Sequence, residues 1–229
     1  MFKLLDWINS DKLNFKNLCL NKNAIHLLKE NQNKIHWFNL SLNQNAVHLI
    51  EKNLDKINWT CLSENPSAIN LLEKNLDNIN FLYLSRNPNA IHLIEKNLDK
   101  IDDWSFLCTN PNAIHIIEQN LDKIDWEYLS LNPSAIHLLE QNQDQIDWIN
   151  LSTNPNAIHL IENNLNKVDW ISLSLNINAI HLLEKNLDKI DWSFLSSNET
   201  AIHLLEQNQD KIDWECFSTN PNIFNIELS

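Results

Sequence analysis

The 229-residue chain contains no glycine. Glycine occupies backbone positions that approach a phosphate closely or take positive φ. Its absence therefore excludes phosphate-binding loops, dinucleotide-binding fingerprints and the nucleophile elbow of hydrolases. Where a turn requires positive φ, we expect asparagine to take the place of glycine.

Positive charge is scarce, with 17 Lys and Arg against 30 Asp and Glu, a net charge of −13, and Arg86 as the single arginine. Nucleic-acid binding depends on neutralising phosphates and favours the arginine fork. We therefore expect no nucleic-acid partner, and no anionic membrane surface. The acidic excess favours a basic protein or peptide as the partner.

Cysteines are few and widely spaced, at Cys19, Cys61, Cys108 and Cys216. Their spacing predicts reduced thiols in an intracellular protein, without a zinc site. No stretch approaches the roughly 20 apolar residues of a membrane span, and the N-terminal residues lack the features of a signal peptide. These observations predict a cytoplasmic protein.

A tandem repeat fills almost the whole chain. Copies begin with Asn at residues 21, 43, 65, 87, 110, 132, 154, 176, 198 and 220, so the period is 22 residues with one exception of 23. We predict an N-terminal cap or half repeat over residues 1–20, nine repeats over 21–219 and a partial repeat over 220–229. The exception comes from an extra Asp at 102–103, which we expect to kink the stack locally.

Each unit reads as two short helices. Position 1 of the unit is always Asn and position 2 is usually Pro, which is typical of a helix N-cap followed by the first helical residue. Apolar residues at positions 4, 5, 7 and 8 share one face of a helix over positions 2–10. Asn at position 11 is expected to end it in a left-handed turn. A second helix follows, capped by Asp or Asn at position 13 or position 16.

Helices this short are marginal alone and must pack on their neighbours. The fold class predicted is therefore all-α, an α-solenoid of two-helix repeats whose handedness the sequence does not determine. A leucine-rich horseshoe with strands is the alternative, because the period and an L-S-x-N segment suit it. That pattern fails at position 18, where a buried Leu is required and Ser and Glu occur.

The unit N-P-N-A-I-H-L-I-E-N-N-L-N-K-V-D-W-I-S-L-S-L, at residues 154–175, resembles short Asn-rich tandem repeats in proteins of giant, mimivirus-like DNA viruses. The resemblance covers nearly the whole chain. It implies a viral repeat protein in the cytoplasm of the host. It implies no catalytic residues and no established activity.

Tryptophan recurs at position 17, as Trp37, Trp59, Trp104, Trp126, Trp148, Trp170, Trp192 and Trp214. We expect these rings to pack between units, with each N–H finding a hydrogen-bond acceptor. A platform on which sugars or bases stack is the alternative.

Histidine recurs at position 6, as His26, His48, His92, His115, His137, His159, His181 and His203. Three interpretations stay open: a structural bond to a backbone carbonyl or Asp of the adjoining repeat, an exposed ladder in which Glu at position 9, one turn further along the helix, is a weak partner, or a metal site. We predict a structural column and no metal, because one His per repeat cannot close a coordination shell of about 2 Å radius.

No residue is predicted to be catalytic and no cofactor is expected. Catalytic acid–base pairs need two unlike environments, whereas repetition gives every carboxylate a similar one. We therefore expect a non-enzymatic scaffold for protein–protein interaction. Self-assembly into a viral particle or factory component is the alternative, with the C-terminal partial repeat (Ile223, Phe224 and Ile226) stacking on another copy.

Positions 18, 19 and 22 vary between copies, as specificity-determining positions of solenoids do. Their bulky apolar residues are the candidate contacts with a partner, since aromatic residues dominate binding hot spots. Packing beneath the next repeat is the other interpretation of these side chains. The candidates are Phe38, Tyr83, Phe106, Tyr128, Ile149, Ile171 and Phe194.

Overall fold

A computed structural model of the protein describes residues 2–5 and 8–226. Its architecture is an all-α repeat solenoid, as predicted. The strand-containing horseshoe is wrong, because the strands among the described residues are two segments of three residues each, Phe2–Leu4 (β1) and Phe224–Ile226 (β2).

Each repeat contributes a first helix around positions 5–9 and a second helix from position 17 onward. The first helices are Ile25–Glu30, Val47–Ile50, Ile69–Glu73, Ile91–Glu95, Ile114–Glu118, Ile136–Gln141, Ile158–Glu162, Ile180–Leu183 and Ile202–Gln207. The second helices are Phe15–Leu18, Trp37–Leu42, Trp59–Glu64, Phe81–Leu84, Ser105–Thr109, Trp126–Leu129, Trp148–Thr153, Trp170–Leu173, Trp192–Ser197 and Trp214–Phe217.

Short 3-10 turns lie before the first helix at positions 2–4 and between the two helices at positions 12–14 in many units. They are Ser10–Lys12, Gln32–Lys34, Gln44–Ala46, Pro66–Ala68, Leu76–Asn78, Leu98–Lys100, Pro111–Ala113, Leu121–Lys123, Pro155–Ala157, Leu187–Lys189, Gln209–Lys211 and Pro221–Ile223.

The start of each unit follows the predicted chemistry. Asn65 has extended backbone, its Oδ1 accepts from the N–H of Ser67, and Pro66 occupies the first position of the turn. The first N–H groups of a helix have no acceptor within the helix, and the Asn side chain supplies one for them. Proline suits the next position because it has no N–H that would be left without an acceptor. The chain therefore turns into the first helix at this position.

The predicted left-handed asparagine at position 11 is wrong. Among the described residues none has positive φ. Asn75, for example, has φ −136° and ψ 46°. Its Nδ2 donates instead to the backbone carbonyl of Leu71, at 2.8 Å. The side chain thus satisfies a carbonyl that the ending helix leaves open, so no left-handed residue is needed.

The cap of the second helix lies at position 16 rather than 13. Asp147 has extended backbone, and its Oδ1 accepts from the N–H of Asn150 at 2.8 Å. Position 13 instead lies within the preceding turn where one forms, as Asp122 does in Leu121–Lys123.

One continuous hydrophobic core runs through all the units. Its members repeat at positions 4, 7, 8, 15 and 20, so that Ala157, Leu160, Ile161, Val168 and Leu173 form one unit's share. Residues at the same position in successive units pack on one another. The core is therefore shared between neighbours, as the instability of a lone unit requires.

The two ends of the repeat array meet. Nδ2 of Asn21 donates to the carbonyls of Ser218 and Asn220, at 3.3 and 2.9 Å. Asn43 makes the same pair of bonds, to Asn21 at the start of the unit before it and to Cys19, two residues before that start. Because the last and first units are joined by the bonds that join any two neighbours, the solenoid closes into a ring.

A composite tenth unit completes the ring. Residues 220–226 supply its first part and residues 8–20 its second part. In place of a first helix, β1 pairs with β2 antiparallel, Lys3 opposite Asn225. The predicted N-terminal cap and C-terminal partial repeat, apart from residues 1, 6, 7 and 227–229 outside the described residues, thus belong to one unit.

The ring has a tighter and a wider edge. Successive second helices, and the turns Gln44–Ala46 and Pro66–Ala68, lie close together along the stack. Successive first helices are instead bridged by the long side chains of His and Glu. In a closed ring the more closely spaced parts lie nearer the axis, so positions 17–22 and 1–4 form the inner edge. Positions 5–14 form the outer edge.

The extra aspartate does not kink the stack, contrary to the prediction. Nδ2 of Asn110 still bonds the carbonyls of Ser85 and Asn87, at 2.7 and 3.0 Å. The additional residue is absorbed before the second helix, which begins at Ser105 without a side-chain cap from Trp104. Asp103 accepts from the N–H of Ser105 instead.

Candidate binding surface on the inner edge of the ring

Within the part of the chain that the structure describes, the large exposed apolar side chains gather in two places. Eleven large apolar residues are exposed among the described part of the chain. Six belong to positions 18, 19, 22 and 2 on the inner edge: Leu20, Phe38, Ile149, Ile171, Ile177 and Phe194. The other five are the leucines of position 12 on the outer edge: Leu54, Leu76, Leu121, Leu165 and Leu187.

The seven candidate contact residues all lie on the inner edge and divide into two groups. Phe38, Ile149, Ile171 and Phe194 are exposed, by 42 to 60%. The other three are half-buried and touch each other across successive units. The ring of Phe106 lies 5.3 Å from Tyr83 and 6.1 Å from Tyr128. These three residues therefore pack between repeats, whereas the first four are exposed on the surface.

The inner edge is almost neutral. Its charged residues are Lys16, Lys22 and Arg86 against Glu64, Glu127, Glu199 and Glu215, three positive and four negative, so the edge carries −1 of the chain's −13. Four of them form ion pairs, Lys22 with Glu199 at 3.4 Å and Arg86 with Glu64 at 3.3 Å. Asp6 and Glu227 lie outside the described residues, and the other described residues carry a net charge of −10 outside this surface, since −13 less −2 and −1 leaves −10.

Two hydrogen-bonding columns hold the inner edge in register. The asparagines of position 1 are buried. Each donates to the carbonyl of position 1 in the preceding unit and to that of position 21 in the unit before it, while capping its own turn, as Asn154 does with Asn132, Ser130 and Asn156. Ser152 at position 21 is buried; its hydroxyl donates to the carbonyl of Trp148 and accepts from the N–H of Asp169 in the next unit. Sequence reasoning found the cap but missed both links between units, although the constancy of positions 1 and 21 was a signal for them.

The tryptophans pack partly on the core, and lysines cover them from the next unit. Trp148, for example, contacts the core, and Nζ of Lys167 lies 4.8 Å from its ring centre. The same arrangement crosses the ring joint, where Lys12 lies 4.5 Å from the ring of Trp214. A face occupied by an ammonium group gains cation–π attraction and is not free for a stacking ligand. Sequence reasoning missed the lysine column, although the recurrence of Lys at position 14 was a signal for it.

The histidines lie on the outer edge and pair with a neighbouring unit. Nε2 of His159 lies 2.8 Å from Oε1 of Glu140, the position 9 residue of the preceding unit. Six such pairs occur among the described residues, at 2.8 to 3.0 Å, and involve His92, His115, His137, His159, His181 and His203. His26 instead contacts the ring of Phe224. The six paired histidines thus bond the adjoining repeat and form an exposed ladder, but their partner is the Glu of the preceding unit, and not a backbone carbonyl, an Asp or the Glu of the same helix.

A groove of about 880 Å³ opens beside the extra aspartate. Its walls are residues 101–105 and 122–126, including Asp102, Asp103, Asp122 and Asp125. Hydrogen bonds from the N–H and hydroxyl of Ser105 hold the pKa of Asp103 below its ordinary value. The groove is shallow, and Lys123 already lies over the ring of Trp104 within it.

Thiol and metal chemistry have little support in the geometry. Burial raises the pKa of Cys19, Cys61 and Cys108, and of Cys216 together with the nearby Asp213 carboxylate. A raised pKa keeps a thiol protonated and poorly nucleophilic. The described residues contain no group of three or more His, Cys, Asp or Glu side chains placed to hold a metal ion.

Among the residues that the structure describes, no helix has the length and apolar character to cross a membrane. Comparison with protein-family models, with curated proteins and with solved structures gives no match to this chain.

Proposed function

We propose that this protein is a non-enzymatic ring scaffold that binds another protein through its inner edge. The observation that carries the proposal is the exposure of Phe38, Ile149, Ile171 and Phe194 at positions where the repeats differ from one another. Exposed apolar residues that cluster on one surface are typical of interaction sites. Variation between repeats gives each part of the ring its own chemistry.

A basic partner remains a prediction. The charge distribution limits the part of the ring that can attract such a partner. The acidic groups lie mainly outside the inner edge, so attraction of a basic protein acts chiefly there and accelerates its approach to the ring. We further propose that the protein works in a reducing cytoplasm, which the four free cysteines support.

Self-assembly through the partial repeat is the second candidate function. It was suggested by apolar residues of the partial repeat that were expected to be free to stack on another copy. Ile223 and Phe224 are buried within the chain's own tenth unit, and the side chain of Ile226 lies outside the described residues. An assembly of copies therefore needs another surface.

The test is retention of a partner by immobilised ring, followed by rebinding of that purified partner. The variant Ile149→Glu with Ile171→Glu places charge on the inner edge. Leu121→Glu with Leu187→Glu is a matched control, because the exposures of 60 and 50% are paired with 58 and 48% on the outer edge. We expect the inner-edge variant to lose the purified partner and the control to keep it. Failure to find a partner, or equal behaviour of the two variants, would contradict the proposal.

A further inference from the structure

Resting on the proposed function, we infer that the occupant of the inner edge is an uncharged peptide segment with aliphatic and aromatic side chains, and not a basic segment. The surface in question is defined by Leu20, Phe38, Ile149, Ile171, Ile177 and Phe194, and we call it the apolar inner surface.

The charge of the surface carries the inference first. A basic segment would need unpaired carboxylates, and positions 17–22 and 1–4 have few of them. The aspartates of position 16 border this surface, but they already accept from helix N–H groups, as Asp147 and Asp169 do. Glu64 and Glu199 are already paired with Arg86 and Lys22. The remaining charges, Lys16, Glu127 and Glu215, sum to −1. A near-neutral wall gives no electrostatic advantage to a charged segment, which would lose water on binding.

Hydrogen bonding points the same way. At each unit the asparagine of position 1 occupies two backbone carbonyls of the preceding chain, one at position 21 and one at the next position 1, as Asn176 does with Ser152 and Asn154. The serine of position 21 likewise bonds within the stack, as Ser174 does with Trp170 and Asp191. These polar groups are therefore committed to holding the ring together. Exposed apolar side chains such as Ile149, Ile171 and Phe194 are not committed in this way and are free to contact a ligand.

The most continuous part of the apolar inner surface spans three successive units. Ile149, Ile171 and Phe194 are exposed in neighbouring repeats, and Ile177 lies at the start of the third. Ile149 and Ile171 share position 18, and Phe194 is at position 19 of the next unit. An extended segment following the inner edge would meet an apolar contact at each step. Burying such anchors gives binding free energy roughly in proportion to the apolar area removed from water.

The experiment uses two sets of immobilised synthetic peptides with the full chain in solution. One set is neutral and rich in Leu, Ile and Phe among Ser, Thr and Asn; the other is rich in Lys and Arg. Retention of the protein is measured at low and high salt, for the natural chain, for Ile149→Glu with Ile171→Glu, and for Leu121→Glu with Leu187→Glu. Circular dichroism confirms that all three retain the same helix content.

We expect neutral apolar peptides to retain the protein with little dependence on salt, since screening acts on charges and not on apolar contact. The inner-edge variant should lose about tenfold or more of this affinity, while the outer-edge control stays within about twofold. Retention by the basic set only, weakened by salt, would overturn the inference and leave the scaffold proposal standing. Absence of retention by either set would overturn the inference even if a protein partner binds. The proposed function itself falls only with the partner-rebinding test.

Discussion

At the residue scale, the asparagine of position 1 does more than cap a helix. Asn154 is buried, its Nδ2 donates to the carbonyls of Ser130 and Asn132 on either side of the preceding unit boundary, and its Oδ1 accepts from the N–H of Asn156. Three hydrogen bonds from one small amide fix both the local turn and the register between units. Aspartate would supply the acceptor but not the two donors, which explains why every copy uses Asn.

Replacing Asn154 with Ala should lower the free energy of unfolding by about 2–4 kcal/mol, because two buried carbonyls lose their donor. Asn156 is the control: its Nδ2 bonds the carbonyl of Pro133 at an exposed site, so Asn156→Ala should cost less than about 1 kcal/mol. Urea unfolding measures both. Equal losses would show that the buried column does not set the register.

Asp213 predicts a pH dependence. It accepts from the N–H groups of Cys216 and Glu215 and from the hydroxyl of Ser193. These bonds hold its pKa below the ordinary value of 3.8, with the bond from Cys216 as the largest cause. The folded carboxylate therefore releases its proton more readily than the unfolded one, and the resulting stabilisation is present above that ordinary pKa and lost as the pH falls through the folded value.

Asp213→Asn should remove this acid-dependent part of the stability while leaving Ser193 a side-chain acceptor. Unfolding measured in steps from about pH 6 down to about pH 2 would reveal it as a shallower acid slope for the variant. Parallel acid slopes for the variant and the natural chain would contradict this assignment.

Much of the residue-scale chemistry could be predicted from the repeat, but only where one unit contains both partners. The cap at position 1 and the proline at position 2 follow from local rules and were correct. The left-handed asparagine at position 11 was wrong because its side chain satisfies the open carbonyl, a choice that helix-ending rules do not reveal. The links of Asn154 and Ser152 to adjacent units could not be predicted, because they depend on how units stack.

At the element scale, the extra aspartate shows what the second helix needs. In an ordinary unit the residue at position 16 caps the helix and its N–H donates to the serine of the preceding unit, as Asp169 does with Ser152. Near the insertion, Trp104 precedes the helix without a side-chain cap. The additional residue changes the local cap and opens the groove, while the asparagine column continues past it.

Deleting Asp102 should restore the ordinary unit. Asp103 would then cap the helix at the N–H of Phe106, and its own N–H would reach the hydroxyl of Ser85. We expect a gain of about 0.5–2 kcal/mol in the free energy of unfolding, the usual range for a helix cap. Thermal and urea unfolding would measure it. A loss of stability on deletion would mean that the inserted residue supports the fold.

At the scale of the whole molecule, ring closure was not predicted, although the sequence contains the two fragments that make it possible. Residues 8–20 match the second half of a unit and residues 220–226 the first part of one, and these two fragments complement each other. Treated separately they predicted an N-terminal cap or half repeat and a C-terminal partial repeat. The missing information was the curvature of the stack, which depends on the small difference in spacing between its inner and outer edges.

Ring closure also determines which apolar residues are exposed. An open solenoid would expose an apolar end at each terminus, whereas here Ile223 and Phe224 are buried. The apolar inner surface then becomes the principal exposed hydrocarbon apart from the leucines of position 12. Both proposals about binding depend on this arrangement.

The distance across the joint tests closure most directly. Spin labels at Asp11→Cys and Asp210→Cys occupy position 13 of the two units that meet there, and labels at Asp188→Cys and Asp210→Cys form a control pair in adjacent units. The four native cysteines are replaced by Ser, a residue that other copies carry at the same positions. A closed ring predicts that both pairs give similar distances, below about 25 Å for units packed roughly 8–10 Å apart. A distance across the joint beyond about 60 Å, as an open stack of ten units requires, with the control pair unchanged, would contradict the ring.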